Sequence, residues 1–265
     1  MGPEFVVKHT LNALLGRVTT TSAVPPQQRL LVFFGGDCQQ TTVQMQSNHH
    51  ASKWQRWSLD NVAQLLHRQF PDHRLLLMRP SRLHGGVFAV FDRFVACENA
   101  CGDPKYSRQP IAWPAMRQLL AEVDVGEWET QKLTVVAFSK GCAVLNQLIF
   151  ELHEARSQSC ARQLIERVSD VYWLDGGHNG TADAWLTDEC SLDALAKWCL
   201  DTGLSVHVRV TPYQAEDSNR PWIGRQMRAF CAGLSERKVT VDYKEKFKDE
   251  SPSLQNHFRL LETIL

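Results

Sequence analysis

Short apolar runs and longer apolar stripes at helical spacing alternate along most of this chain. Residues 30–34 form a continuous apolar run, as a strand buried on both faces requires. Residues 74–78, 134–138 and 168–174 have the same character, Val206, Val208 and Val210 alternate, and residues 239–243 read as a last strand. Helical stripes fall between these runs. Ser58 can cap a helix carrying Leu59, Val62, Leu65 and Leu66. Met116, Leu119, Leu120 and Val123 mark a second, and Val144, Leu145, Leu148 and Ile149 a third. Leu192, Leu195 and Cys199 mark a fourth that Gly203 ends. Ile223, Met227, Phe230 and Leu234 stripe a fifth, and Phe258, Leu261 and Ile264 a closing one.

Strands alternating with helices predict an α/β fold, a mostly parallel sheet with helices on both faces and right-handed crossovers. At the start, Val7, Leu11, Leu14 and Leu15 predict a leading helix, and the polar stretch ending in Pro25-Pro26 an extended connection. Met1 to Phe5 read as a protease and cloning remnant. The expected organisation is therefore a remnant at 1–5, helix and connection at 6–28, and one α/β domain at 29–265.

Composition narrows the class. The 265 residues are 43% hydrophobic and 22% charged, as in a globular protein with a substantial core. Lys plus Arg equals Asp plus Glu, 29 each, which gives no support for nucleic-acid binding. No apolar run approaches a membrane span. The eight Cys form no CxxC and no zinc spacing, so free thiols are expected. His178, Asp175 and Asp183 are poorly spaced for a metal. No metal or organic cofactor is expected.

The chemistry-bearing segment is Ala137-Phe138-Ser139-Lys140-Gly141, between a strand run and a helical stripe. A tight strand-to-helix turn with small residues two positions either side of a Ser is a nucleophile elbow, which lifts the hydroxyl above the sheet. It also directs the next N–H, that of Lys140, into the same space. Sites in parallel sheets form beyond the carboxyl ends of the strands. There the first strand ends in Gly35-Gly36-Asp37, where an N–H of Gly36 or Asp37 can complete an oxyanion hole and Gly35 can border a pocket. Each such donor stabilises the transition state by about 3–4 kcal/mol. His257, after the last strand, is the expected base. The carboxylate that orients it has two candidates. Asp217, after the strand ending at Val210, is the expected acid, and Asp175, in Leu174-Asp175-Gly176-Gly177-His178, is the alternative. His178 and Tyr213 are further pocket candidates. Trp54, Trp57 and Trp185 are expected to pack core edges.

Several words across the chain together resemble a known family. They lie at residues 54–63, 138–147 and 172–178, in Val210-Thr211-Pro212-Tyr213-Gln214, and in Asn256-His257-Phe258-Arg259. The family is the mitochondrial one of open reading frame sixty-nine of chromosome two in vertebrates, and the resemblance runs from about residue 29 to the end. It implies an α/β-hydrolase-like fold and a mitochondrial location, and it matches Ser139, Asp217 and His257 to a presumed triad. It also implies an association with glycogen branching enzyme. This sequence departs from the family in a short stretch between Gly102 and Glu127 and in Ala137 where Gly is frequent. The expected function is a serine hydrolase (esterase, thioesterase or lipase-like) acting on a small acyl or lipid substrate. The alternative is a catalytically silent hydrolase-fold protein that binds a lipid or a protein partner.

Overall fold

The computed structural model describes residues 4–9, 13–19, 29–123, 128–178, 180 and 183–265. Eight strands form one sheet. They are β1 (Glu4–His9), β2 (Ala13–Thr19), β3 (Arg29–Phe34), β4 (His73–Met78), β5 (Lys132–Phe138), β6 (Val168–Leu174), β7 (Ser205–Val210) and β8 (Val241–Glu245). Their spatial order is β1-β2-β4-β3-β5-β6-β7-β8. β2 runs antiparallel to both its neighbours, and the pairings from β4 to β8 are parallel. That order with that single reversal is the α/β-hydrolase arrangement, so the fold class read from the sequence holds.

The apolar runs are continuous because both sheet faces are covered, with alternate residues going to opposite sides. Val32, Phe34, Val135, Ala137, Val171 and Trp173 pack on one face. The helices over it are α2 (Ala112–Glu122), α3 (Cys142–Phe150), α4 (Glu189–Thr202) and α5 (Pro221–Glu236). Leu31, Phe33, Val136, Phe138, Tyr172 and Leu174 pack on the other, under α1 (Leu59–Gln69) and α6 (Leu254–Arg259). Ser58 accepts the Asn61 N–H as the cap of α1, and Gly203 ends α4 at φ 74°.

The start of the chain differs from expectation. The segment expected as a helix forms the β1–β2 hairpin, which covers the open edge of β4 through pairs such as Leu14 with Leu77. A run of edge hydrogen bonds outweighs a weak helical stripe, and one of that stripe's four residues, Leu11, lies outside the described residues. Glu4 and Phe5 belong to β1 and pair with Thr19 and Val18, a placement that leaves their origin as a remnant untouched. The last strand lies at Val241–Glu245, two residues later than expected.

Between β4 and α2 the chain forms two short antiparallel ribbons, Arg82–His84 with Phe88–Val90 and Ala96–Cys97 with Pro104–Lys105. The first stands over the carboxyl end of β3. The Cys38 N–H donates to Val87 O at 2.7 Å, and the Ala89 N–H to Asp37 Oδ1 at 2.7 Å.

Candidate active site

Ser139 begins the turn from β5 into α3 with φ at 53°, a left-handed conformation costly for a side-chain residue. The crowding around it explains the small neighbours. A Cβ on Gly141 would sit 2.3 Å from Phe34 O, and one on Gly36 would sit 2.7 Å from Ser139 Cβ. Gly36 is therefore the position at which the end of β3 can approach the serine. Ala137 is fully buried and tolerated in place of the commoner Gly.

His257, on α6, donates from Nδ1 to Asp175 Oδ2 at 2.8 Å. Its ring contacts those of Phe138 and Tyr213, with centroids 4.5 and 5.0 Å away. Asp175 leaves β6 at φ 46° and is fully buried. Its carboxylate accepts the Thr211 N–H at 2.7 Å and the Thr211 Oγ1–H at 2.5 Å. Three donors thus hold a charge that burial alone would make unfavourable.

Asp217, the expected acid, is not brought to His257. Its Oδ2 accepts from Arg220 Nε at 2.7 Å, and its Oδ1 accepts the N–H groups of Asn219 and Arg220. Burial raises its pKa, but these bonds outweigh it and hold the group below the usual carboxylate range. The difference is one of reach: Asp175 and Thr211 sit at the ends of adjacent parallel strands, whereas Asp217 lies beyond the helical turn Pro212–Ala215.

Ser139 and His257 border one cavity of about 210 Å³, together with Asp37, Gly177, His178 and Tyr213. That is below the roughly 300–1,000 Å³ of sites for drug-sized ligands. No hydrogen bond joins the Ser139 hydroxyl to the imidazole among the described residues. Of the two donors expected from the β3 loop, the Gly36 N–H is committed to Gln39 Oε1 at 2.7 Å, leaving that of Asp37. Gln39 in turn donates to Trp57 O, which fixes the loop. Gly35 packs against Gln39 and Leu59 and does not border the cavity. Burial raises the Asp37 carboxyl, against the lowering effects of the Ala89 N–H, Lys140 and His257.

The Lys140 side chain turns away from the cavity to an almost fully buried ion pair, Nζ to Asp103 Oδ1 at 3.0 Å. Burial raises the Asp103 pKa, but the bonds from Asn99 and Lys140 win and lower it. His178 accepts the Gly180 N–H on Nδ1 at 3.0 Å, so its proton sits on Nε2. Burial, aided by Lys140, pushes its pKa down to about 4 and keeps the ring neutral. Trp54 and Phe258 border the cavity, while Trp57 packs behind Phe258 and Trp185 lies in the core on the other side of the sheet. No group of three or more His, Cys, Asp or Glu suited to a metal occurs among the described residues.

Sequence reading missed three contributors: Thr211, Gln39 and Arg220, the last of which also borders the cavity. Thr211 lies in a quoted word, but nothing in its spacing marks it as a partner of Asp175. Gln39 and Arg220 carry no periodic or motif signal.

A family model described as C2orf69 matches residues 7–125 and 115–240. The mitochondrial protein C2orf69 homolog of Danio rerio is 36% identical over 230 residues, covering 80% of this chain and 66% of that protein. Mitochondrial protein C2orf69 of Homo sapiens is 30% identical over 266 residues, covering 80% of this chain and 68% of that protein. The chain spans about two thirds of the length of the curated relatives it matches. Among solved structures, a Bacillus cereus carboxylesterase aligns with a TM-score of 0.46 at 11% identity, covering 98% of this chain and 92% of that one. A Pyrococcus horikoshii acylaminoacyl peptidase aligns at 0.41 and 9%, covering 99% of this chain and 39% of that one.

Proposed function

The chain belongs to the C2orf69 family, and from that premise we propose that it is a serine hydrolase of small esters or thioesters, working through an acyl-enzyme. One observation carries the reading. A serine on a strained turn shares a cavity with an imidazole whose far nitrogen is bound to a buried, triply held carboxylate.

In the proposed reaction Ser139 Oγ attacks the substrate carbonyl carbon as His257 Nε2 takes its proton. Asp175 holds the ring in the required tautomer and stabilises the imidazolium that forms. The oxyanion is met by the N–H of Lys140, at the start of the turn into α3, and by that of Asp37. Collapse breaks the bond to the leaving alkoxide or thiolate, which His257 Nε2 protonates. A water then loses a proton to His257 Nε2 and attacks the acyl carbon; the acyl C–Oγ bond breaks, His257 returns the proton to Ser139 Oγ, and the acid leaves. The hydroxyl–imidazole hydrogen bond forms in the substrate complex, where apo contacts of this kind tighten.

Ester turnover tests the reading. Wild type is expected to hydrolyse a short 4-nitrophenyl ester or acyl thioester, and Ser139→Ala and His257→Ala to lose that turnover while staying folded. Absence of turnover in folded wild type, or equal turnover in Ser139→Ala, contradicts it. The relatives are named mitochondrial proteins, and we extend that location to this chain. No helix among the described residues is long and apolar enough to cross a membrane. Fractionation of cells expressing the full-length protein checks the location.

A further inference from the structure

We propose that Arg220 is a specificity residue that selects substrates bearing a carboxylate, bound in the Ser139 cavity a short distance from the scissile carbonyl. The inference rests on the hydrolase reading for the reaction, but not for the binding.

Arg220 borders the same cavity as Ser139 and His257, and it is the permanent cation among the described residues that line it. Much of the remaining lining is apolar: Trp54, Val87, Phe88, Leu254 and Phe258. A guanidinium bordering such a lining is a directional anchor for an anion, which it binds in competition with its Asp217 partner and with the Asp37 carboxyl of the same cavity.

Arg220 is also held in place. Its Nε donates to Asp217 Oδ2, and Asp217 is itself fixed by the backbone N–H groups of Asn219 and Arg220. The guanidinium stands over the Tyr213 ring at 5.8 Å and also reaches the Tyr213 hydroxyl. Tyr213 in turn packs on the His257 ring, so the cation is tied to the same aromatic layer as the base. Asp217 engages the Nε edge, and a bound carboxylate would share the remaining guanidinium N–H groups with the Tyr213 hydroxyl.

A second polar group borders the same space. Gln214 is 4% exposed and lines the cavity, and its side-chain carbonyl has no hydrogen-bond partner among the described residues. Its amide abuts Gly177, where a Cβ would fall 2.8 Å away. An amide turned by half a revolution presents its NH2 instead. Arg220 and Gln214 border the same cavity and can therefore both address one bound carboxylate. The small cavity sets the scale: an acid of a few carbons, with the ester at one end and the free carboxylate at the other.

Two measurements test this. First, kcat/KM is compared for mono-(4-nitrophenyl) glutarate and for 4-nitrophenyl pentanoate, a pair differing chiefly in the terminal charge. Wild type is expected to favour the charged ester by roughly tenfold, the factor that about 1.4 kcal/mol gives. Arg220→Gln should collapse that ratio to near one, and Arg220→Lys should recover only part of it. Second, glutarate binding to Ser139→Ala is followed by calorimetry and by NMR of the arginine side chains. Glutarate should bind and shift the Arg220 signal, and binding should be lost in Ser139→Ala/Arg220→Gln. An equal preference for the two esters, or a preference unaltered by Arg220→Gln, overturns the proposal. Failure of glutarate to bind overturns it as well. If neither ester is hydrolysed but glutarate binds at Arg220, the hydrolase reading fails and the anion site stands.

Discussion

His257 Nδ1 lies 2.8 Å from Asp175 Oδ2, joining two residues 82 positions apart in the chain. The carboxylate after β6, rather than the one beyond β7, therefore orients the imidazole. Asp175→Asn is expected to lower kcat by about 10⁴-fold, because an amide in that place favours the wrong tautomer. Asp217→Asn should leave the rate on uncharged esters within a few-fold of wild type. Steady-state kinetics of the two variants decide between the carboxylates.

Two glycines set the shape of the turn. Gly141→Ala places a methyl 2.3 Å from Phe34 O, and backbone atoms cannot yield as a side chain would. A loss of at least about 3 kcal/mol is expected in urea unfolding. Gly36→Ala pushes on Ser139 Cβ and should cost activity more than stability. Gly203→Ala is the control: its Cβ meets nothing within 4 Å, so only the positive φ is penalised, by about 1–2 kcal/mol.

The Lys140–Asp103 pair presents a different kind of dependence. Lys140→Met leaves the Asp103 carboxylate with the Asn99 amide as its remaining close partner, and should cost about 3–5 kcal/mol. The double variant Lys140→Met/Asp103→Leu should regain most of that, since an apolar pair replaces a buried ionic one. Both variants keep the residue-140 N–H. Activity per folded molecule should therefore persist if the side chain serves the structure and the N–H serves the oxyanion. Thermal melts and initial rates read the two effects separately.

Stability should fall as the solution is acidified. Burial holds His73 and His178 neutral with pKa values near 4, while the unfolded chain titrates near 6.5. Below 6.5 the unfolded state therefore binds more protons than the folded one. The stabilisation these rings provide is intact above 6.5 and is lost as pH falls toward 4, by at most about 3 kcal/mol each. His73→Gln keeps a polar partner for Thr134 and should flatten the pH dependence of the urea midpoint in that window.

Most of the sheet was legible because a parallel strand buried on both faces is an unbroken apolar run, as at residues 30–34 and 134–138. That Ser139 and His257 border one cavity was legible because strand–turn–helix context and chain order constrain their places. The carboxylate partner of His257 was harder to read. Asp175 and Asp217 both follow strands, and which one meets His257 depends on the register of β6 against β7 and on Thr211, a contact between distant residues with no local spacing. The β1–β2 hairpin was misread for a related reason: its strands are specified by the open edge of β4 more than by their own pattern. Gly36 was expected to donate to an oxyanion, and only the fold shows Gln39 taking its N–H.

A fluorophosphonate that carries its own leaving group reports on the central claim without knowledge of the substrate. Intact-mass and peptide analysis of the treated wild-type protein should find one phosphonyl adduct, on Ser139, with labelling slowed severely in His257→Ala and Asp175→Asn and absent in Ser139→Ala. A folded wild-type protein that stays unmodified, or an adduct that forms equally in Ser139→Ala, would contradict the account.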